Sequence, residues 1–372
     1  MPLAAHGGDI YGAARRLGVS PGQILDFSAS INPLGISPKA ARRIARELPA
    51  VCHYPDRQQH ELRALVASRQ KISPEYIVFG NGATQLLYVV ARHLAPRNVM
   101  LVVPGFSENL AAAASVQSHV TTFRLRPESR FRFDTEMFGD RLRTTKPDCV
   151  FLTNPNNPTG TVIPHIDLVR VAGLCSQART YLVLDESFID FTQEPSLSGL
   201  VERNRFLIVI QSLTKFFALP GLRIGYLAAH RAFARNIARA VEPWSVNTLA
   251  LAAAAESIKD PLYRQRTLAL IAKEREFLLS GLGTFERLKA YQSEVNFILA
   301  RSMSKRLPGH LLRRELEQMR ILIRDAKGFG GLGSQFFRIA VRTRRENQCL
   351  LGALNLVGER AALPNRGQRS HR

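Results

Sequence analysis

The sequence predicts an α/β protein: a large domain built on a mainly parallel sheet between helices, with a smaller α+β domain attached. Three observations predict it. From about residue 75 to 230, short β-branched runs alternate with helical stretches. Those runs are apolar throughout, as strands covered by helices on both faces are. After Trp244 the texture changes to long helical segments followed by short strands. A chain of 372 residues, 45% of them hydrophobic, also exceeds one compact core and has apolar material for two lobes.

In chain order, strands are predicted at Ile77–Phe79, Val99–Val103, Val120–Leu125, Cys149–Thr153, Tyr181–Leu184, Leu207–Ile210 and Tyr226–Ala228. Helical patterns such as the one opening at Gln85 and the one opening at Glu108 lie between them. A long helical region follows from about Thr248 to Gly281, interrupted near Asp260-Pro261. Strands near Val295–Ala300, Ile321–Arg324 and Phe337–Val341 and a final helix over Arg345–Gly358 complete the second lobe. Near the start, Asp9 is placed to cap a helix carrying the periodic Ile10, Ala13, Ala14 and Leu17. The division expected is an N-terminal arm (1–35), a large domain (36–247), a small domain (248–360) and a basic, disordered tail (361–372).

Composition narrows the function. No apolar run reaches the ~18 residues of a membrane helix, and the N-terminus lacks the basic and apolar regions of a secretory signal. No membrane association and a cytoplasmic location are expected. Cys52, Cys149, Cys175 and Cys349 are scattered, so neither a metal site nor a disulfide framework is indicated. The formal net charge of +21 comes from arginines spread over the whole chain. Without a helix-turn-helix pattern or an aromatic-studded RNA-binding strand, it reads as compositional bias that partly serves an anionic substrate, and no nucleic-acid partner is expected.

Four segments carry chemistry, each at the carboxyl end of a predicted strand, where open α/β sheets bind ligands. Ser212-Leu-Thr-Lys215-Phe-Phe-Ala-Leu-Pro-Gly-Leu-Arg223 sets a lysine among Phe216, Phe217 and Leu219; desolvation there lowers an amine's pKa and makes it nucleophilic. A lysine taken at random points to solvent; Ser212 and Arg223, able to turn toward one anion, raise the odds. Asn154-Pro-Asn-Asn157-Pro-Thr-Gly160 is, taken alone, an ordinary turn. Asp185-Glu-Ser-Phe188 is either a helix cap or a carboxylate holding a proton on a heterocyclic nitrogen. Gly80-Asn-Gly82-Ala83-Thr84 offers backbone N–H groups for a phosphate at a helix N-terminus.

Together these are the parts that pyridoxal phosphate chemistry requires. The combination of NPNNPTG, DES and SLTKFFALPGLRIG resembles the fold-type-I, aspartate-aminotransferase-like pyridoxal-phosphate enzymes over about residues 6–358, closest in texture to their histidinol-phosphate aminotransferase branch. Within it, His6-Gly-Gly-Asp-Ile-Tyr11 and Asp26-Phe-Ser-Ala-Ser-Ile-Asn32-Pro-Leu-Gly35 resemble the threonine-phosphate decarboxylases of cobalamin biosynthesis. Tyr54-Pro-Asp56, Pro104-Gly-Phe106 and Phe337-Arg338-Ile-Ala-Val341 agree with that.

The resemblance implies roles. Lys215 carries pyridoxal 5'-phosphate covalently and Asp185 keeps its ring nitrogen protonated. Asn157 holds the phenolate oxygen and Phe106 stacks on the ring. Gly82, Ala83, Thr84, Ser212 and Arg223 hold the cofactor phosphate, with Tyr54 reaching over from the partner of a homodimer. Arg338 grips the substrate carboxylate. His6, Gly7, Asn32 and Arg324 serve the substrate end, mainly the phosphate of a small phosphorylated amino acid, with Asn157 adjoining. Phe188 departs from the family pattern, since many members carry a donating Tyr there. Two alternatives stay open: an aminotransferase on histidinol phosphate, and a basic binding or regulatory protein that keeps the fold without the chemistry.

Overall fold

The computed structural model describes residues 6–362. Residues 1–5 and 363–372 lie outside it, and with them all but the first two residues of the expected tail; those two end the last helix, Arg344–Ala362.

The first described helix, Ile10–Leu17, is capped by Asp9, whose carboxylate accepts from the Gly12 N–H at 2.9 Å. A short strand β1 (Leu25–Asp26) follows. The large sheet is built from β2 (Ile77–Gly80), β3 (Asn98–Val103), β4 (His119–Arg124), β5 (Cys149–Thr153), β6 (Tyr181–Asp185), β7 (Leu207–Ser212) and β8 (Gly225–Ala229). Each predicted strand of this region appears, shifted by two residues at most. Their order is β2-β8-β7-β6-β5-β3-β4, and only β8 runs against the others. The central strands are buried residue by residue, because helices cover both faces. The reversed β8 has a consequence for the site: its start, just after Arg223, lies at the same sheet edge as the ends of its neighbours.

The second region pairs β9 (Leu288–Ala290), β10 (Phe297–Ser302), β12 (Arg324–Asp325) and β13 (Phe336–Ala340) in the antiparallel order β12-β13-β10-β9. The strand expected over Ile321–Arg324 is in fact two pieces. Ile321–Leu322 forms β11, which pairs in parallel with β1, while β12 pairs with β13; Ile323 lies between. A single run cannot serve two sheets, so the backbone changes partner there. The N-terminal segment is thereby sewn to the C-terminal one: Ala13, Ala14, Ile24 and Leu322 share a small core, and Ala340 donates its N–H to Phe27 O at 2.8 Å. The long helical region is Thr248–Ile258 and Pro261–Gly283, broken where Asp260 caps the second helix ahead of Pro261. The main apolar cluster runs from Phe27 to Val357, across the expected boundary at 247. β9 and the helix Gly309–Gln318 carry no signal singled out in the sequence.

Candidate active site

The carboxyl edge of the large sheet gathers a cleft lined by Ala83, Thr84, Phe106, Asn157, Asp185, Phe188, Ser212, Lys215 and Arg223, together with Leu87, Ser187 and Ile210. Eight of these are residues the sequence proposed, brought in from five separate chain segments.

The anion end forms where β2 turns into the helix Ala83–Leu94. Gly82, at its N-cap, has φ +84, a left-handed backbone that side chains resist, and has no side chain to close the cap. The first N–H groups of this helix therefore lack a capping acceptor. Gly225 lets the helix start come down onto β8: a Cβ there would lie 2.6 Å from the Ala83 nitrogen. The Arg223 guanidinium reaches the same place, 2.5 Å from where a Gly82 Cβ would stand.

Lys215 Nζ donates to Thr214 Oγ1 at 2.9 Å and Ser212 Oγ at 3.2 Å, and those two hydroxyls lie 2.7 Å apart. Desolvation pulls the amine down to about 8; Arg223 and Arg338 add to this, and only Asp185 opposes it. Such an amine is still mostly protonated at neutrality, but its nucleophilic neutral fraction is far larger than that of an ordinary lysine. Asp185 ends β6, buried, with Oδ1 accepting from the Ser187 N–H at 2.9 Å. Burial raises its pKa, partly offset by Ser187 and Lys215. A cation facing it would restore its charge.

The second region contributes two buried arginines. Arg324 and Arg338 are Cα partners across β12 and β13. Arg338 donates from Nη2 to Ser28 O at 2.9 Å and from Nη1 to Asn157 Oδ1, while its buried Nε has no partner. It lies over the Phe297 ring at 4.9 Å, and Phe297 meets Phe188 edge to face. Burial, then Arg324, lower Arg338 to about 9, which leaves it charged near neutrality. Arg324 is also lowered, by burial, and among the described residues it makes no ion pair. Asp325 and Asp26 act on them only from beyond ion-pair distance, so among the described residues neither cation is paired, and an anionic ligand would offset their charge.

His6 and Gly7 meet Arg324 in one pocket beside Ser28, as the sequence proposed. Asn32 does not join them. Its Nδ2 lies 2.8 Å from Phe216 O, 2.8 Å from Thr267 Oγ1 and 2.9 Å from Tyr263 Oη, and its Oδ1 accepts from the Leu34 N–H. Its N–H also donates to Lys215 O. The side chain expected at the substrate is spent on bracing the loop behind Lys215. Tyr54 does not reach its own chain's cleft: it is 79% exposed and stacked on Trp244 at 4.5 Å. The sequence reading missed Thr214, although it sits inside SLTK, and Glu108, which pairs with His6 at 3.1 Å; a glutamate early in a helix carries no sequence signal of its burial.

The expected cofactor can be tested against these residues. An uncapped helix start with a glycine cradle, a buried amine held near 8, a buried carboxylate lacking a full cationic partner, and an amide whose Oδ1 is fixed by Arg338 so that Nδ2 stays a donor all suit pyridoxal phosphate. The donor set fits.

The profile of the family described as aminotransferase class I and II matches residues 22–354. The chain is 36% identical over 356 residues to a threonine-phosphate decarboxylase of Salmonella typhimurium, covering 95% of this chain and 96% of that one. It superposes with TM-score 0.80 on L-threonine-O-3-phosphate decarboxylase from Porphyromonas gingivalis (25% identical, 90% and 100% covered). It superposes with TM-score 0.83 on histidinol-phosphate aminotransferase from Clostridium acetobutylicum (29% identical, 91% and 100% covered).

Proposed function

The chain belongs to the aminotransferase class I and II family, and from that premise we propose that it is a pyridoxal-phosphate-dependent decarboxylase of L-threonine O-3-phosphate, serving cobalamin biosynthesis. The reaction breaks the bond between Cα and the carboxylate, releases CO2 and puts a proton on Cα, giving (R)-1-amino-2-propanol O-2-phosphate. The observation that carries the substrate class is the buried Arg324–Arg338 pair, neither in an ion pair among the described residues, matched to a molecule with two anionic ends. The 36% identity to a decarboxylase over nearly the whole chain supports this reaction over transamination.

Pyridoxal phosphate, when bound, supplies an electron sink for the carbanion left at Cα. The chain's residues would do the rest. Ala83, Thr84, Ser212 and Arg223 would hold its phosphate, Lys215 its carbonyl carbon, Asn157 Nδ2 its phenolate oxygen and Phe106 one ring face. Asp185 would hold a proton on the ring nitrogen, and its buried position strengthens that interaction. Arg338 would grip the carboxylate, and Arg324 with His6 the phosphate, so that the carboxylate stands out of the ring plane. This remote grip selects which Cα bond breaks. Lys215, near 8, can return a proton to Cα once CO2 has left.

A homodimer is part of the proposal. Tyr54 and Trp244 are exposed aromatic side chains stacked on each other, which supports a covering partner that receives Tyr54. Four unpaired thiols support a reducing, cytoplasmic setting. The test of function is to incubate the holoenzyme with L-threonine phosphate and no keto acid. Stoichiometric CO2 over many turnovers supports the decarboxylase; no CO2, with amino transfer from histidinol phosphate once a keto acid is added, overturns it.

A further inference from the structure

Glu108 is a buried carboxylate engaged on both oxygens. It stands in the first turn of the helix Ser107–Ser115, two residues after Phe106. Oε1 meets His6 Nε2 at 3.1 Å, and Oε2 accepts from the Tyr88 hydroxyl at 2.8 Å. The His6 contact holds its pKa below the usual carboxylate range although burial works the other way. The arm that carries His6 is itself fastened. The Gly8 N–H donates to Ser28 Oγ at 2.8 Å, and that hydroxyl donates to Asp26 Oδ1 at 2.6 Å. Gly7 packs so tightly on the Ser28 carbonyl that a Cβ there would overlap it.

We propose that Glu108 is a positioning residue for the substrate phosphate, acting through His6: it engages Nε2 and so fixes the orientation of the ring, with Nδ1 left as the nitrogen for the phosphate in the pocket shared with Arg324. The inference rests on the threonine-phosphate reading above. Its physical reason is the imidazole's two unlike nitrogens. One ring nitrogen engaged by a carboxylate sets the ring's orientation and leaves the other for a second partner. Tyr88, from the helix Ala83–Leu94, is the other group on Glu108, and it anchors the second oxygen. Around the pocket Arg16 and Arg313 are already paired to Glu317, and Asp9 and Asp325 supply the remaining negative charge. Arg324 and Arg314 are thus the guanidinium groups of this pocket that make no ion pair among the described residues.

The holoenzymes to compare are wild type, Glu108→Gln, His6→Ala and the double variant, with Tyr88→Phe as a milder fifth. For each, KM and kcat are measured with L-threonine phosphate, and Kd with unphosphorylated L-threonine and with inorganic phosphate. Glu108→Gln keeps size and an acceptor but loses the charge. It is expected to raise KM for the phosphorylated substrate about tenfold, the scale of one charge-assisted hydrogen bond. Inorganic phosphate should weaken in parallel, while L-threonine binding moves less than twofold. The double variant should be no worse than His6→Ala, because Glu108 acts only through that ring, and Tyr88→Phe should give a smaller loss of the same kind. Equal weakening of L-threonine would overturn the inference by showing that Glu108 shapes the site through Phe106. So would additive losses in the double variant, or no loss in Glu108→Gln. A wild-type enzyme that neither binds nor decarboxylates threonine phosphate would overturn the substrate reading itself, a result distinct from any of these.

Discussion

The guanidinium of Arg338 donates to Oδ1 of Asn157, so the residue proposed for the substrate carboxylate and the one proposed for the cofactor's phenolate oxygen form a single hydrogen-bonded unit. The bond fixes which way the Asn157 amide points and leaves Nδ2 as its donor. Asn157→Ala is therefore expected to injure both partners at once. The absorbance of the bound cofactor should shift, and KM for threonine phosphate should rise at least tenfold as Arg338 loses its orientation. An altered spectrum with an unaltered KM would separate the two roles.

Lys215 should be the lysine that carries the cofactor and, in the cofactor-free protein, the one that reacts first. Its amine is lowered to about 8, against an ordinary 10.5. Between those values it is mostly neutral in the folded state and mostly protonated in the unfolded chain. Acylation of Lys215 should therefore rise through a midpoint near pH 8, while surface lysines respond near 10.5. Unfolding takes up a proton in that window, so this group's contribution to stability increases with pH across it. Borohydride reduction of the holoenzyme followed by peptide mapping should place the pyridoxyl label on Lys215. A label on any other lysine contradicts the assignment.

Arg324→Ala should weaken threonine phosphate by roughly 2–5 kcal/mol, the cost of breaking a desolvated charge contact. It should also loosen the substrate about its Cα bonds. At saturating substrate, pyridoxamine phosphate formed per CO2 released is then expected to rise above the wild-type ratio. Lower affinity at a constant ratio would leave Arg338 alone in control of which bond breaks.

Asn32 gives the opposite expectation. Its amide ties the Phe216 carbonyl to Tyr263 and Thr267 on the helix Pro261–Gly283. Asn32→Ala removes the two amide protons that these three oxygens share, at about 1–3 kcal/mol for each group left unsatisfied. Thermal melts should show a lower Tm, and cofactor should be lost more readily from the loosened Lys215 loop. KM for threonine phosphate in the retained holoenzyme should change less than threefold. A large rise in KM with an unchanged Tm would return Asn32 to the substrate.

Tyr54, exposed on its own chain, should act on a partner's cofactor. Tyr54→Ala and Lys215→Ala subunits are each expected to be inactive or weak alone. When mixed and re-equilibrated they should regain activity, up to about a quarter of wild type, because a heterodimer holds one site with both residues intact. No regain after proven subunit exchange would confine each site to one chain.

The sequence by itself determined the large sheet and the parts along its carboxyl edge. Strands such as Cys149–Thr153 and Leu207–Ser212 are buried on both faces, so their apolar runs announce them without context. The residues that end them, Asp185 and Ser212 among others, fall at one edge because neighbouring strands run in parallel. Relations between distant segments were legible only where the resemblance supplied them, as for His6, Gly7 and Arg324. The tertiary structure alone decided the rest. It split Ile321–Arg324 between two sheets, since hydrogen bonding to β1 and to β13 depends on where those strands lie. It turned Asn32 from a ligand contact into a brace, because three oxygens from remote segments converge on its amide. It also gave Glu108 a partner in His6, across a hundred residues of chain. A side chain's type limits what it can donate or accept; which group it meets is set by the packing of elements far away in sequence.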